Sequence, residues 1–102
     1  TMPVEIDTSG DETIIHIQGR FTWVHVHHDL RMAYESSEFT NAAVRIVNLR
    51  EFNFIDSSGL ALLLEMREFV GGETAGIKIG GAIPQIANIL KVAGFDKLFL
   101  MG

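Results

Sequence analysis

Two short stretches of the chain gather the side chains that could do chemistry. Asp56-Ser57-Ser58-Gly59 sets a carboxylate and two hydroxyls between Phe54-Ile55 and the apolar run Leu60-Ala61-Leu62-Leu63-Leu64. His25-Val26-His27-His28 crowds imidazoles into one segment. A serine can serve as nucleophile, helix cap or phosphate acceptor, and a carboxylate can itself take a phosphoryl group. Imidazoles are the commonest metal ligands.

Most of these chemistries lack their other parts. A nucleophilic serine on a sharp strand-to-helix bend wants G-x-S-x-G, but Phe54, Ile55 and Asp56 precede Ser57. The histidines, at 16, 25, 27 and 28, all lie upstream, and a chain of 102 residues leaves little room for a substrate cleft. Asp56 as a receiver-type phospho-acceptor would need an acidic pair after the first strand and a later lysine. No acidic pair directly follows Ile6 or Ile17. On a helix, adjacent and i+2 positions point apart, so only His25 and His28 could pair, and Asp29 has a different direction. A solvated helix start is the expectation there. The glycines at 71, 72, 76, 80 and 81 lack the G-K-[ST] of a phosphate-binding loop and read as turns. No catalytic residue, metal or cofactor is expected, and the chain is not expected to be an enzyme.

Two readings of Asp56-Ser57-Ser58-Gly59 survive. In the first, Ser57 or Asp56 only caps orphan amides at the start of a helix. In the second, the serine is a handle for a partner. A helical wheel begun at Ser57 gathers Gly59, Leu62, Leu63, Met66 and Val70 on a buried face and Ala61, Glu65 and Glu68 on the outer one. Leu60 and Leu64 fall toward the outer side, above Ser57. An exposed apolar patch rimmed by charge is a docking signature. Phosphorylation would add roughly 1.5 to 2 negative charges, which a helix N-terminus can hold.

Composition bounds the rest. With 47% hydrophobic and 21% charged residues, the chain reads as one globular domain over residues 1–102. A net charge of -5 argues against nucleic acid as partner, since that affinity comes from Lys and Arg neutralising phosphates. Without cysteine there is no disulfide framework and no thiolate metal site. Thr1-Met2-Pro3-Val4-Glu5 lacks the basic-then-apolar order of a secretory signal. The run Leu60–Leu64 falls far short of the ~20 residues that span a bilayer. The expectation is a cytoplasmic protein without membrane insertion.

The elements that must position these residues follow from periodicity. Val4–Asp7 and Thr13–Gln18 predict a hairpin whose turn, around Ser9-Gly10-Asp11, is longer than two residues. Val26, Leu30, Ala33 and Tyr34 form a helical stripe that Glu35-Ser36-Ser37 closes. Ala43–Leu49 is β-branched and nearly continuous, as expected of a strand buried on both faces. A helix is predicted from Ser57 to about Val70, stopped by Gly71-Gly72, then a strand at Ile77–Ile79. Pro84 opens a helix with Ile86, Ile89, Leu90 and Ala93 on one face, Gly94 ends it, and Phe95–Met101 is a last short strand or turn. This β-β-α-β-α-β-α order predicts a sheet that is mostly parallel after its hairpin.

With those elements in place, Phe54-Ile55-Asp56-Ser57-Ser58-Gly59-Leu60 and its apolar helix resemble the signature of STAS domains, the anti-sigma factor antagonists. Ile15-His16-Ile17-Gln18-Gly19-Arg20-Phe21 resembles the family's second strand, and Val47-Asn48-Leu49 the strand before its switch loop. Gly71-Gly72, Pro84 and Val92 to Phe99 resemble the C-terminal half, so the likeness spans nearly the whole chain. Gly19-Arg20-Phe21 with Leu30 to Glu35 is closest to short single-domain members found beside phosphatase-bearing response regulators. The resemblance implies an α/β fold: a STAS-like mixed sheet of four to five strands with an opening hairpin, packed with three to four helices.

It also implies partner switching. A serine kinase, often the anti-sigma factor itself, phosphorylates Ser57 in the switch loop Asp56, Ser57, Ser58, Gly59. The unphosphorylated form binds that anti-sigma factor, and a serine phosphatase resets it. Leu60, Ala61, Leu64 and Glu65 are the expected partner-binding residues, with Thr22 and Trp23. Thr22 stands where the family usually has an aspartate near the switch loop, and the usual T-A-x-x-L is absent. A different class of function in the family is a structural subunit that docks on the ATPase of a lipid transporter without phosphorylation. Retention of Ser57 and Ser58 favours the switch.

Overall fold

The opening residues alternate apolar and polar and turn at a glycine, which suits a half-buried hairpin. In the computed structural model, which describes residues 3–18 and 23–102, β1 (Val4–Ser9) pairs antiparallel with β2 (Glu12–Ile17). The register runs from Val4 opposite Ile17 to Ser9 opposite Glu12, so only Gly10 and Asp11 form the loop. The turn is therefore shorter than the sequence suggests. Gly10 stands at φ 63, and a glycine at the first loop position makes so tight a connection compatible with strand twist.

Helix α1 spans Trp23–Glu35, starting ahead of the predicted Val26. A single-turn helix, α2 (Ser37–Thr40), follows unforeseen, its cap made by the Ser36 side chain accepting from the Phe39 amide. Then come β3 (Val44–Asn48), α3 (Ser57–Val70), β4 (Ile77–Gly80), α4 (Pro84–Val92) and the two-residue β5 (Leu100–Met101). The sheet order is β1-β2-β3-β4-β5, and every pair after the hairpin is parallel.

One side of this sheet carries Ile15, Ile17, Val47, Ile77 and Ile79, all buried. Val26 and Leu30 of α1, Leu62, Leu63 and Met66 of α3, and Ile86 and Leu90 of α4 close over it in one core. The other side presents Glu5, His16, Asn48 and Lys78, none of them buried. The expectation that β3 is buried on both faces is thus wrong. Its alternation is disguised: Arg45 stands on the inner side and Ile46 on the outer, so the strand reads as one apolar run. The Arg45 guanidinium is satisfied by the carbonyls of Phe39 at 2.8 Å, Ala75 at 2.9 Å and Thr40. In α4 only Ile86 and Leu90 are buried. Ile89 and Ala93 face outward, contrary to the predicted four-residue face, because one i, i+4 pair covers this end of the sheet.

Candidate functional site at the mouth of helix α3

The loop into α3 is pinned by its apolar residues. Leu49, Phe52 and Ile55 are buried, the Leu49 amide donates to the Gly80 carbonyl at 3.0 Å, and the Phe52 amide to that of Leu49 at 3.1 Å. Between these anchors the Asn48 side-chain oxygen accepts from the Arg50 amide at 2.9 Å. The chain therefore reaches Asp56 on a fixed path.

Asp56 is extended, at φ -105 and ψ -179, and its Oδ1 accepts from the Gly59 amide at 2.8 Å. That is an N-cap, and it belongs to Asp56 rather than Ser57. Ser57 and Ser58 are exposed, and neither hydroxyl makes a hydrogen bond among the described residues. A free hydroxyl thus sits on the first turn, where unpaired amides and the helix dipole favour negative charge.

The buried face of α3 matches the wheel: Gly59, Leu62, Leu63 and Met66 are buried. Val70 is only half-buried. Ala61 and Glu65 are exposed, and Leu64 is 36% exposed. Leu60 is half-buried and packs against the core, so its assignment to the outer side holds only in part. Ser57, Ala61, Leu64 and Glu68 follow one another along one stripe of the helix. Thr22 and the Trp23 side chain, like that of His25, lie outside the described residues. His27 is half-buried and His28 exposed, and among the described residues no three metal-ligating side chains converge.

Sequence reasoning missed where this stripe leads. Between α1 and α3 lies a cleft of about 560 Å³ lined by Arg31, Tyr34, Glu35, Leu64, Glu65, Glu68 and Phe69. Tyr34 is buried, its ring 5.5 Å from that of Phe69 at 52°. Burial, then the nearby Glu65 charge, pushes the Tyr34 phenol above its ordinary pKa. Glu35, which accepts from the Arg31 Nε at 2.9 Å, raises the Arg31 pKa. The available signal was Phe69, a large apolar residue off the buried stripe of α3.

Residues 4–101 match the family model described as "Mlab, STAS domain". The chain belongs to the STAS domain family. It is 40% identical over 90 residues to a STAS-domain containing protein of Pseudomonas aeruginosa (strain UCBPP-PA14), a match covering 88% of this chain and 87% of that one. The crystal structure of an anti-sigma factor antagonist from Mycobacterium paratuberculosis superimposes with a TM-score of 0.80 at 18% identity, covering 96% of this STAS domain and 82% of that chain. The anti-sigma factor antagonist SpoIIAA in its unphosphorylated form gives 0.65 at 16% identity, covering 97% and 87%. The phosphorylated form of the Bacillus cell fate determinant SpoIIAA gives 0.66 at 20%, covering 97% and 90%. At these identities the likeness to the solved structures is one of fold.

Proposed function

We propose that this STAS domain is an anti-sigma factor antagonist of the cytoplasm that works by phosphorylation-controlled partner switching and has no catalytic activity of its own. Unphosphorylated, it binds an anti-sigma factor that is also its serine kinase. Phosphorylation of Ser57 releases it, and a serine phosphatase restores it. Thr22 and Trp23 belong to this reading as partner contacts beside Leu60, Ala61, Leu64 and Glu65.

The observation that carries the reading is the division of labour at the mouth of α3. Asp56 holds the cap through Gly59, which leaves the Ser57 hydroxyl exposed and unengaged among the described residues. A kinase can take it without breaking the helix. The phosphate then lies at the positive end of α3, at the head of the stripe that leads to Leu64. A partner surface complementary to a neutral hydroxyl would have to bury an unpaired charge there, which typically costs several kcal/mol.

Incubating the protein with its cognate kinase and ATP, then locating the phosphate by mass spectrometry, tests this. Phosphate is expected on Ser57 and should persist in Ser58→Ala. Ser57→Ala should bind the partner constitutively, and Ser57→Asp should weaken binding about a hundredfold, equivalent to ~3 kcal/mol. Phosphate on Ser58 and never on Ser57 would refute the acceptor assignment. Unchanged affinity in Ser57→Asp would point instead to a subunit that docks, on a transporter ATPase or another partner, without phosphorylation.

A further inference from the structure

We propose that the cleft between α1 and α3 is a second contact point for the partner, and that it takes an amphipathic helix with an apolar ridge and Lys or Arg along its flanks. The proposal rests on the partner-binding reading of α3 and extends it away from the serine.

The floor is apolar and uncovered. Phe69 is 53% exposed and Leu64 36%, and both line the cleft together with the buried Tyr34 ring. Two apolar side chains so open beside an aromatic make a patch, not scattered surface residues. The walls decide what shape can lie there. Both are helices, whose backbone amides and carbonyls are used internally along their length. An extended peptide would find no ladder to join, so the occupant must satisfy its own backbone. A helix does, by laying i, i+3, i+4 and i+7 anchors in a groove.

The rim decides the charge. The Arg31 guanidinium is taken by Glu35 at 2.9 Å and adds no free positive charge. Among the described residues Glu68 meets only Arg67 Nη1, at 3.4 Å, while the Arg67 Nε donates to the Leu98 carbonyl at 3.1 Å. Glu65 has no ion pair among the described residues, yet its charge is felt by Tyr34. The cleft is therefore bordered by carboxylates in excess, within a chain of net charge -5. Complementary potentials favour a basic flank.

Along α3 the cleft runs from Leu64, seven residues beyond Ser57, to Phe69, twelve beyond it, or about 10.5 to 18 Å at 1.5 Å per residue. Both distances exceed the ~8 Å Debye length at physiological salt, so charge at Ser57 is largely screened in the cleft. The two contacts divide the work: the mouth of α3 senses phosphate, and the cleft supplies affinity that phosphate does not remove.

The probe is a synthetic helix of about 18 residues, five turns, with Leu at i, i+3, i+4 and i+7 and Lys beside them. A scrambled peptide of the same composition is the control. Titration into isotopically labelled protein should move the amides of Arg31 to Glu35 and Leu64 to Phe69. Glu65→Lys and Phe69→Ser, both shown folded by circular dichroism, should each weaken binding about tenfold or more. Ser57→Asp should change it by less than about twofold, given the screening distance. Equal binding of the scrambled peptide, shifts on the open face of the sheet, or indifference to both cleft variants would overturn the proposal. Phosphorylation of Ser57 is measured separately, so failure of the cleft leaves the switch standing, and the reverse.

Discussion

Asp56 and Ser57 are neighbours with one cap between them, and the carboxylate makes it. Asp56→Ala should therefore lose about 1 kcal/mol of stability in a denaturant melt. Ser57→Ala should stay within about 0.5 kcal/mol of the parent, as exposed substitutions usually do. Equal losses in the two variants would mean that the serine shares the capping. Tyr34 gives a second test at this scale, because it is the only tyrosine in the chain. Its tyrosinate absorbance should rise with a midpoint above the ordinary 10.0. A phenol held above its unfolded value contributes stability that is complete below the unfolded pKa and is lost as pH rises through the folded one. The melting temperature should fall through that alkaline window, and Tyr34→Phe should flatten the fall.

The elements are joined by groups that their own patterns do not announce. Arg45 on β3 ties the last carbonyls of α2 to the segment before β4, reaching Phe39, Thr40 and Ala75. Hydrogen bonds from a charged donor contribute about 1.5 to 3 kcal/mol each, and the carbonyls left behind would be unsatisfied. Arg45→Leu should cost about 3 kcal/mol in a chemical melt, despite matching the apolar character of the strand. Arg45→Lys, a single flexible ammonium, should recover only part of it. A loss below about 0.5 kcal/mol in Arg45→Leu would show that α2 is held by the packing of Phe39 alone.

Across the whole molecule, all the helices stand on one face of the sheet, and α3 shows its outer stripe from the serine to the cleft. Leu64 sits midway along that stripe and is 36% exposed. Leu64→Arg should leave folding stability within about 0.5 kcal/mol, while removing most of the affinity for an anti-sigma factor partner. Thermal melting and a binding isotherm on the same sample check both halves. An unfolded variant would place Leu64 in the core and end its role as a docking residue.

Much of this was legible in the sequence, because the signals concerned are local. The residues of α3 report their burial through a 3.6-residue period, and Asp56 and Gly71 mark its ends. The succession of strands and helices along the chain follows from short apolar runs separated by turn residues, and the DSSG loop had to fall at a helix mouth. Three things came only from the tertiary structure. Which of Asp56 and Ser57 caps the helix depends on the direction from which a pinned loop arrives. Which side of β3 is covered depends on where the helices cross, since Arg45 and Ile46 trade the places their polarity suggests. The cleft joins Tyr34 to Phe69, whose approach depends on two helices packing side by side. Periodicity records how much of an element is buried; the fold decides what buries it, and so which side chains remain free to meet a partner.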